Sequence, residues 1–470
     1  MKSEDKKKTP SQKILFLMRS AEFFHYQRTT IEALLARGFR VHLLVDRRWS
    51  AVDALEKLGV FAKGYRHFTC GWAESRNDYY RNVLFYTREL LTYRHYISPH
   101  RNSQSVYYEN RWYGYLPPFL QKILAYAVSR ALLKMTLAGA LLAGVERVAP
   151  AAENISADIK RFAPDAVMAT PGNMRFSSAD VEYLKAAKKL GVLTMIPVLS
   201  WDNLTTKGLM HIHPDFLLCW NDMQAGEAVE HQGFVLTQLR ITGAPVFDDW
   251  FTKLRPSGTR EEFCRAHDLR AEDPVVVYLG SSRHMAADET WLIGSLRAAL
   301  DNSPDARMRR MQIIVRPHPA NWRIYEKVSL PGVVVLPREG TLPDGPATLQ
   351  LFYDTLHHAV AAIDGANTSA IIDSIIAGCP GIAIITDEYK HTQIETKHFN
   401  QLVAADALYC ARGAEEVWDV LGRLLNGADE KKEKRKAFVE RFIRPCGLEI
   451  SAGEAAAREV EKIILGQSSA

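Results

Sequence analysis

Residues 361–380 read AAIDGANTSAIIDSIIAGCP, and this stretch decides the fold. A short apolar run ending at Asp364 makes a buried strand. Gly365 lets the backbone turn tightly, and Asn367, Thr368 and Ser369 are residues that open helices. Ala370, Ile371, Ser374, Ile375 and Gly378 recur at helical spacing, Gly378-Cys379-Pro380 stops the helix, and Gly381 to Thr386 begins the next apolar run. The stretch is therefore a β-α-β unit. Its turn gathers backbone N–H groups, the positive end of a helix dipole and two hydroxyls, which together suit a phosphate or carboxylate. Gly365, Asn367, Thr368 and Ser369 are accordingly candidate anion-binding residues.

Working outward, Val275 to Leu279 reads as a strand that ends in Gly280-Ser281-Ser282, ahead of an amphipathic helix over Asp288 to Leu300. Gln312 to Val315 is the next strand and ends in Arg316-Pro317-His318-Pro319. Prolines on both sides of His318 deny it helical context and suit the aiming of one imidazole and one guanidinium. Val333 to Leu336 and Ile382 to Ile385 supply further strands, and Glu388 lies in the loop after the latter, placed to meet sugar or ribose hydroxyls. Glu430 to Phe442 and Ala455 to Ile464 are closing helices.

The first half repeats the alternation. Strands are expected at Lys13 to Met18, Val41 to Val45, Pro164 to Thr170, Leu193 to Leu199, Phe216 to Asn221 and Leu239 to Gly243, with helices over Tyr26 to Arg37, Ser178 to Leu190 and Met223 to Gln232. The loop RSAEFFHYQ, residues 19–27, follows the first strand and carries Glu22 and His25, two candidates for a general base. A second polar loop, Ser200 to Gly208, holds Asp202 and a tryptophan, Trp201, expected to face an interdomain cleft.

Between these strands, residues 68–145 are crowded with aromatic and basic side chains and show no clean period until a helical stretch over Pro117 to Gly144. That stretch is too charged to span a bilayer. It reads as a helical, aromatic-rich insertion packed on the first domain, with contact to a membrane surface as the second reading.

A chain of 470 residues with 47% hydrophobic composition buries two cores of ordinary size, so two α/β domains are expected, over residues 13–245 and 260–430, with 431–470 closing the fold. Net charge is +5, with much of the basic excess in Lys6 to Lys8 and Glu430 to Arg444, so no nucleic-acid face is expected. The six cysteines are scattered without metal-ligand spacing and read as reduced thiols. Residues 1–12 lack the apolar core of a signal peptide and no apolar run reaches the ~20 residues of a membrane span, so a cytoplasmic location is expected. Neither GxGxxG nor GxxxxGK[ST] occurs, which argues against dinucleotide dehydrogenases and P-loop enzymes.

The set KILFLM…GFRVHLLV, SWDNLTTKG, VYLGSS, RPHP and DGANTSAIIDSIIAGCP resembles bacterial glycosyltransferases of the GT-B fold, of the surface-polysaccharide group that includes capsule Kdo transferases and CDP-glycerol glycerophosphotransferases. The resemblance implies two Rossmann-like domains facing a cleft, with a nucleotide-sugar donor on the second and a glycan or lipid-linked acceptor on the first. It puts Ser281, Ser282, His318, Thr368 and Ser369 at the donor phosphates. Inverting transfer with no metal or other cofactor is expected, since no Asp-x-Asp stands at a strand end to demand a metal. The acceptor's base would come from the loop after the first strand, with Glu22 as first choice and His25 and Asp202 as the others. The alternatives are a UDP-N-acetylglucosamine 2-epimerase-like isomerase, a CDP-glycerol glycerophosphotransferase, or a scaffold that binds nucleotide sugars without catalysis.

Overall fold

The computed structural model describes residues 12–98, 106–174 and 178–466, so the Lys6 to Lys8 run lies outside the described residues. The chain forms two compact units. One contains the residues up to Asp248 together with those from Arg441 onward, and the other is Asp249–Glu440.

In the first unit the strands are β1 (Lys13–Met18), β2 (Arg40–Val45), β3 (Phe68–Trp72), β4 (Ala166–Thr170), β5 (Leu193–Pro197), β6 (Phe216–Cys219) and β7 (Leu239–Ile241). They make one parallel sheet in the order β3-β2-β1-β4-β5-β6-β7. β1 shows why it is central, because five of its six residues are buried, as a strand covered on both faces requires. Ile14, Phe16 and Met18 pack with Ile31, Leu34 and Leu35 of helix Phe24–Ala36 and with Ala456, Val460 and Ile463 of helix Ala452–Ile464. β3 corrects the expected insertion at its start. FTCGW is half-exposed at the sheet edge and carries Gly71, so its pattern does not announce a strand, yet it pairs with β2 along its whole length.

The chain then runs through helices Tyr80–Ile97, Val106–Tyr115, Pro118–Leu124, Ala127–Lys134 and Thr136–Val148 before returning to the sheet. The stretch expected as one helix is three, broken at Tyr126 and Met135, both of which adopt extended backbone. Neither break is marked by proline or glycine. The aromatic residues of the segment mostly serve as its core. Tyr93, Tyr108 and Trp112 are buried, and Tyr96 stacks on Trp112 with 5.5 Å between ring centroids. An ionic cluster fixes the helices to the sheet layer. Arg88 donates to both oxygens of Glu146 at 2.7 and 2.9 Å and to Glu182 at 2.5 Å, Lys185 reaches Glu146 at 2.8 Å, and all four are buried.

The second unit holds β8 (Val275–Leu279), β9 (Gln312–Arg316), β10 (Val333–Val335), β11 (Ala361–Asp364), β12 (Gly381–Ile384) and β13 (Tyr409–Ala411). All are parallel, in the order β10-β9-β8-β11-β12-β13. Each sheet therefore reverses its winding once, between β1 and β4 in the first and between β8 and β11 in the second. Open parallel sheets bind ligands outside the carboxyl ends of the strands at such a reversal.

Candidate functional site

At the second sheet's reversal the loops after β9, β8, β11 and β12 lie side by side, bringing together Arg316 and His318, Gly280 to Ser282, Gly365 to Ser369, and Glu388. Their side chains do not all turn outward. Glu289, fully buried, organises the interior of this edge. It accepts the amide and hydroxyl of Ser281, the Tyr278 hydroxyl at 2.9 Å and the Tyr325 hydroxyl at 2.7 Å, while burial pushes its carboxyl above the ordinary value. Ser281, expected at a donor phosphate, is thus committed inward. Gly280 is glycine because a Cβ there would stand 2.6 Å from the Tyr325 hydroxyl, and at Gly365 a Cβ would collide with the Tyr278 hydroxyl. These two glycines admit tyrosines of their own unit to the backbone. Ser282 is half-buried, and its carbonyl accepts the Met285 and Ala286 amides.

The turn after β11 corrects a second expectation. Its amides are not open to an anion, because the Asp364 Oδ1 accepts those of Ala366 at 3.3 Å, Asn367 at 3.0 Å and Thr368 at 3.2 Å. Asp364 Oδ2 is buried without a hydrogen-bond partner. Burial first, and the Glu289 charge second, hold this carboxyl up to about 7. Asn367 takes a left-handed conformation with φ 75° and turns its amide inward to the Thr392 carbonyl at 2.5 Å. Thr368 Oγ1 accepts the Ala370 amide at 3.4 Å. Ser369 alone of this group is exposed, and its side chain makes no capping bond to the helix Ala370–Ile376. Glu388 is exposed as well.

The RPHP turn follows β9 directly. Arg316 is buried with its guanidinium 4.1 Å above the Phe352 ring, donating from Nη2 to the Thr341 carbonyl at 3.3 Å, and its buried Nη1 has no hydrogen-bond partner. Burial lowers its pKa to about 10, against the opposing pull of Asp373, so the group stays charged at neutral pH. His318 is half-buried, and burial holds its imidazole below the ordinary value, so it is neutral at pH 7. The Ala320 amide donates to its Nδ1 at 3.0 Å, which puts the ring proton on Nε2 and makes that nitrogen a donor. A lone buried guanidinium N–H and an imidazole N–H on one loop can donate to phosphate oxygens.

At the first sheet's reversal Glu22 lies in a short 3-10 turn, Ala21–Phe23, and His25 in the first turn of helix Phe24–Ala36, which starts two residues before the expected Tyr26. Glu22 is exposed, and its Oε1 is oriented by the Ala51 amide at 3.2 Å. His25 donates from Nδ1 to the Glu22 carbonyl at 2.7 Å, leaving Nε2 as the basic nitrogen. Asp202 differs from both, since it accepts Ser200 Oγ at 2.6 Å, Thr206 Oγ1 at 2.7 Å and Lys207 Nζ at 2.9 Å. Its oxygens shape the loop, which weakens its candidacy as a base. Trp201, expected to face a cleft, is buried within its own unit. Among the described residues, no three His, Cys, Asp or Glu side chains are gathered to hold a metal ion.

Sequence reasoning overlooked Glu289, Tyr278 and Tyr325. The available signal was an acid immediately before a helix and a tyrosine inside an otherwise aliphatic strand, VVVYL.

No protein-family model and no curated protein sequence matches this chain. Solved structures do match its fold. A UDP-N-acetylglucosamine 2-epimerase aligns at a TM-score of 0.54 and 11% identity, over 97% of this chain and 96% of that one. The UDP-GlcNAc 2-epimerase of Methanocaldococcus jannaschii, in complex with UDP-GlcNAc and UDP, aligns at 0.50 and 11% over 97% and 100%. A glycosyltransferase from Rickettsia africae ESF-5 aligns at 0.54 and 12% over 97% and 100%. The fold is the two-Rossmann-domain architecture of GT-B enzymes. Equal TM-scores to an epimerase and a transferase mean that the fold does not choose between these chemistries.

Proposed function

We propose that this chain is a glycosyltransferase that moves a sugar from a nucleotide-activated donor to a surface-glycan or lipid-linked acceptor, with inversion and without a metal, in peripheral contact with the membrane that carries the acceptor. The observation that supports it most is the pair Arg316 and His318 at the reversal of the second sheet, where a buried cation and a neutral N–H donor await negative charge. On this reading the donor phosphates meet Arg316 Nη1, His318 Nε2 and the Ser369 hydroxyl, while Glu388 meets sugar or ribose hydroxyls. A first-unit base, Glu22 before His25, takes the proton from the acceptor hydroxyl. The acceptor oxygen bonds to the anomeric carbon as the bond from that carbon to the phosphate oxygen breaks, and the electron pair leaves on the phosphate.

Thermal shift of the full chain with UDP-, CDP- and CMP-linked sugars identifies the donor, and product analysis with and without acceptor tests the reaction. An epimerised nucleotide sugar formed without acceptor would replace transfer by isomerisation, and no shift with any donor would leave only a non-catalytic scaffold of another specificity. Ser369→Ala removes one hydroxyl and lowers donor affinity by about 1 kcal/mol, as read by calorimetry. His318→Ala behaves differently, lowering kcat about tenfold with donor affinity within about twofold, because its contact strengthens as charge develops on the leaving phosphate. Wild-type kinetics in both variants would remove this loop pair from the site.

A further inference from the structure

We infer that the outward face of helices Pro118–Leu124, Ala127–Lys134 and Thr136–Val148 is a docking surface for an anionic lipid bilayer. All three helices turn apolar side chains to solvent. Ile123, Tyr126, Leu132, Met135, Leu137 and Leu141 are 51–71% exposed, while Leu120, Leu124 and Leu133 on the other side fill the interior. In helix Thr136–Val148 the exposed positions 137, 141, 145 and 148 follow helical spacing, so they form one ridge. A monomer in water has no use for such a row, and contiguous exposed apolar surface marks a contact.

Charge selects the occupant. From Asn110 through Val145 the sequence has four cations, Arg111, Lys122, Arg130 and Lys134, and no Asp or Glu. Lys122 and Lys134 are exposed beside the apolar stripe, the arrangement of helices that lie in the headgroup layer of anionic lipids. Helices Ala127–Lys134 and Thr136–Val148 reach the length and apolar character of a span only when taken together, across a sharp bend. The two longest apolar segments meet at a 68° bend, and no single helix among the described residues is long and apolar enough to cross. Arg94 holds that bend by donating to the carbonyls of Lys134 at 3.2 Å and Met135 at 3.4 Å, with Gly139 beneath its guanidinium where a Cβ would stand 2.7 Å away. The surface is a rigid wedge whose aliphatic edge enters the interface while its lysines meet the headgroups.

This inference rests on the proposed membrane-borne acceptor, and it is tested by flotation, with transfer assayed separately. The full chain is floated with vesicles of phosphatidylcholine containing about 30 mol% phosphatidylglycerol at low salt. The wild type floats, and the variant combining Leu132→Ser, Leu137→Ser and Leu141→Ser floats at least ~10-fold less at an unchanged melting temperature. The pair Lys122→Glu and Lys134→Glu, which keeps the apolar edge, loses binding to these vesicles and matches the wild type on pure phosphatidylcholine. Wild type left in the soluble fraction overturns the inference, as does equal flotation on neutral and anionic vesicles. A lipid-free dimer by light scattering that the triple serine variant abolishes would assign the face to a second copy of this chain. Failed flotation with transfer to a soluble acceptor intact refutes only this surface, whereas flotation without transfer to any acceptor refutes only the transferase reading.

Discussion

Glu22→Gln lowers turnover ~100-fold or more while leaving donor affinity unchanged, the scale expected when a general base loses its basicity but keeps its size. The Ala51 amide that orients Oε1 can bond the glutamine oxygen equally well, so the loop keeps its shape and the variant isolates the lost charge. Steady-state kinetics beside calorimetry reads the effect as a fall in kcat. His25→Ala is the competing outcome, because His25 Nε2 is basic by virtue of its Nδ1 bond to the Glu22 carbonyl. A large loss in His25→Ala with an active Glu22→Gln would move the base by one helical turn. Asp202→Asn acts through stability instead, since Ser200, Thr206 and Lys207 already occupy its oxygens.

Asp364→Ala destabilises the second unit by at least ~3 kcal/mol, because three amides lose their shared acceptor at a buried turn, each at a cost of about 1 kcal/mol or more. Asp364→Asn keeps an oxygen for those amides and costs far less. The pair also carries a pH signature. In the unfolded chain this carboxyl titrates near 3.8 and in the folded one at about 7, so folding favours the protonated form. That stabilisation is complete below pH 3.8, falls away as the pH rises above it, and is gone once the pH has passed through 7. Thermal melts of the wild type between pH 5 and 8 therefore decline with a slope that Asp364→Asn, which cannot ionise, reduces. An identical slope in the asparagine variant would show that another group controls it.

The same residue shows how much of the molecule its sequence discloses. Strands such as KILFLM and VVVYL are legible because parallel strands buried on both faces are nearly continuous apolar runs. β13 is not legible, because three residues with Cys410 exposed carry no period. Nor are the breaks at Tyr126 and Met135, which lack a residue that forces them. At the candidate site, the loops and their common edge follow from strand ends and sheet order. Which side chains point outward does not, because the decision rests with partners far along the chain. Ser281 turns in because Glu289 and Tyr325 wait beneath it, and the Thr368 amide is spent because a strand happens to end in aspartate. The place of Arg316 and His318 at the end of β9 follows from the local sequence, where prolines restrict the histidine's backbone, whereas the Arg316 guanidinium is held by Phe352 and Thr341 from farther along the chain.

Helix Ala452–Ile464 completes the core of the first unit from the far end of the chain. Its Gly453 lies where a Cβ would stand 2.5 Å from the Thr29 backbone, and Asp248 accepts the amides of Ala452 and Gly453 at 2.9 Å. Synthesis therefore runs ahead of folding. When Asp248 leaves the ribosome, the face of β1 that carries Ile14, Phe16 and Met18 still lacks this helix, and roughly 190 residues of the second unit must be translated before it arrives. At ordinary elongation rates that is a wait of ~10–40 s, during which one apolar face of the seven-stranded sheet stays uncovered by this helix, whereas the second unit is continuous in sequence.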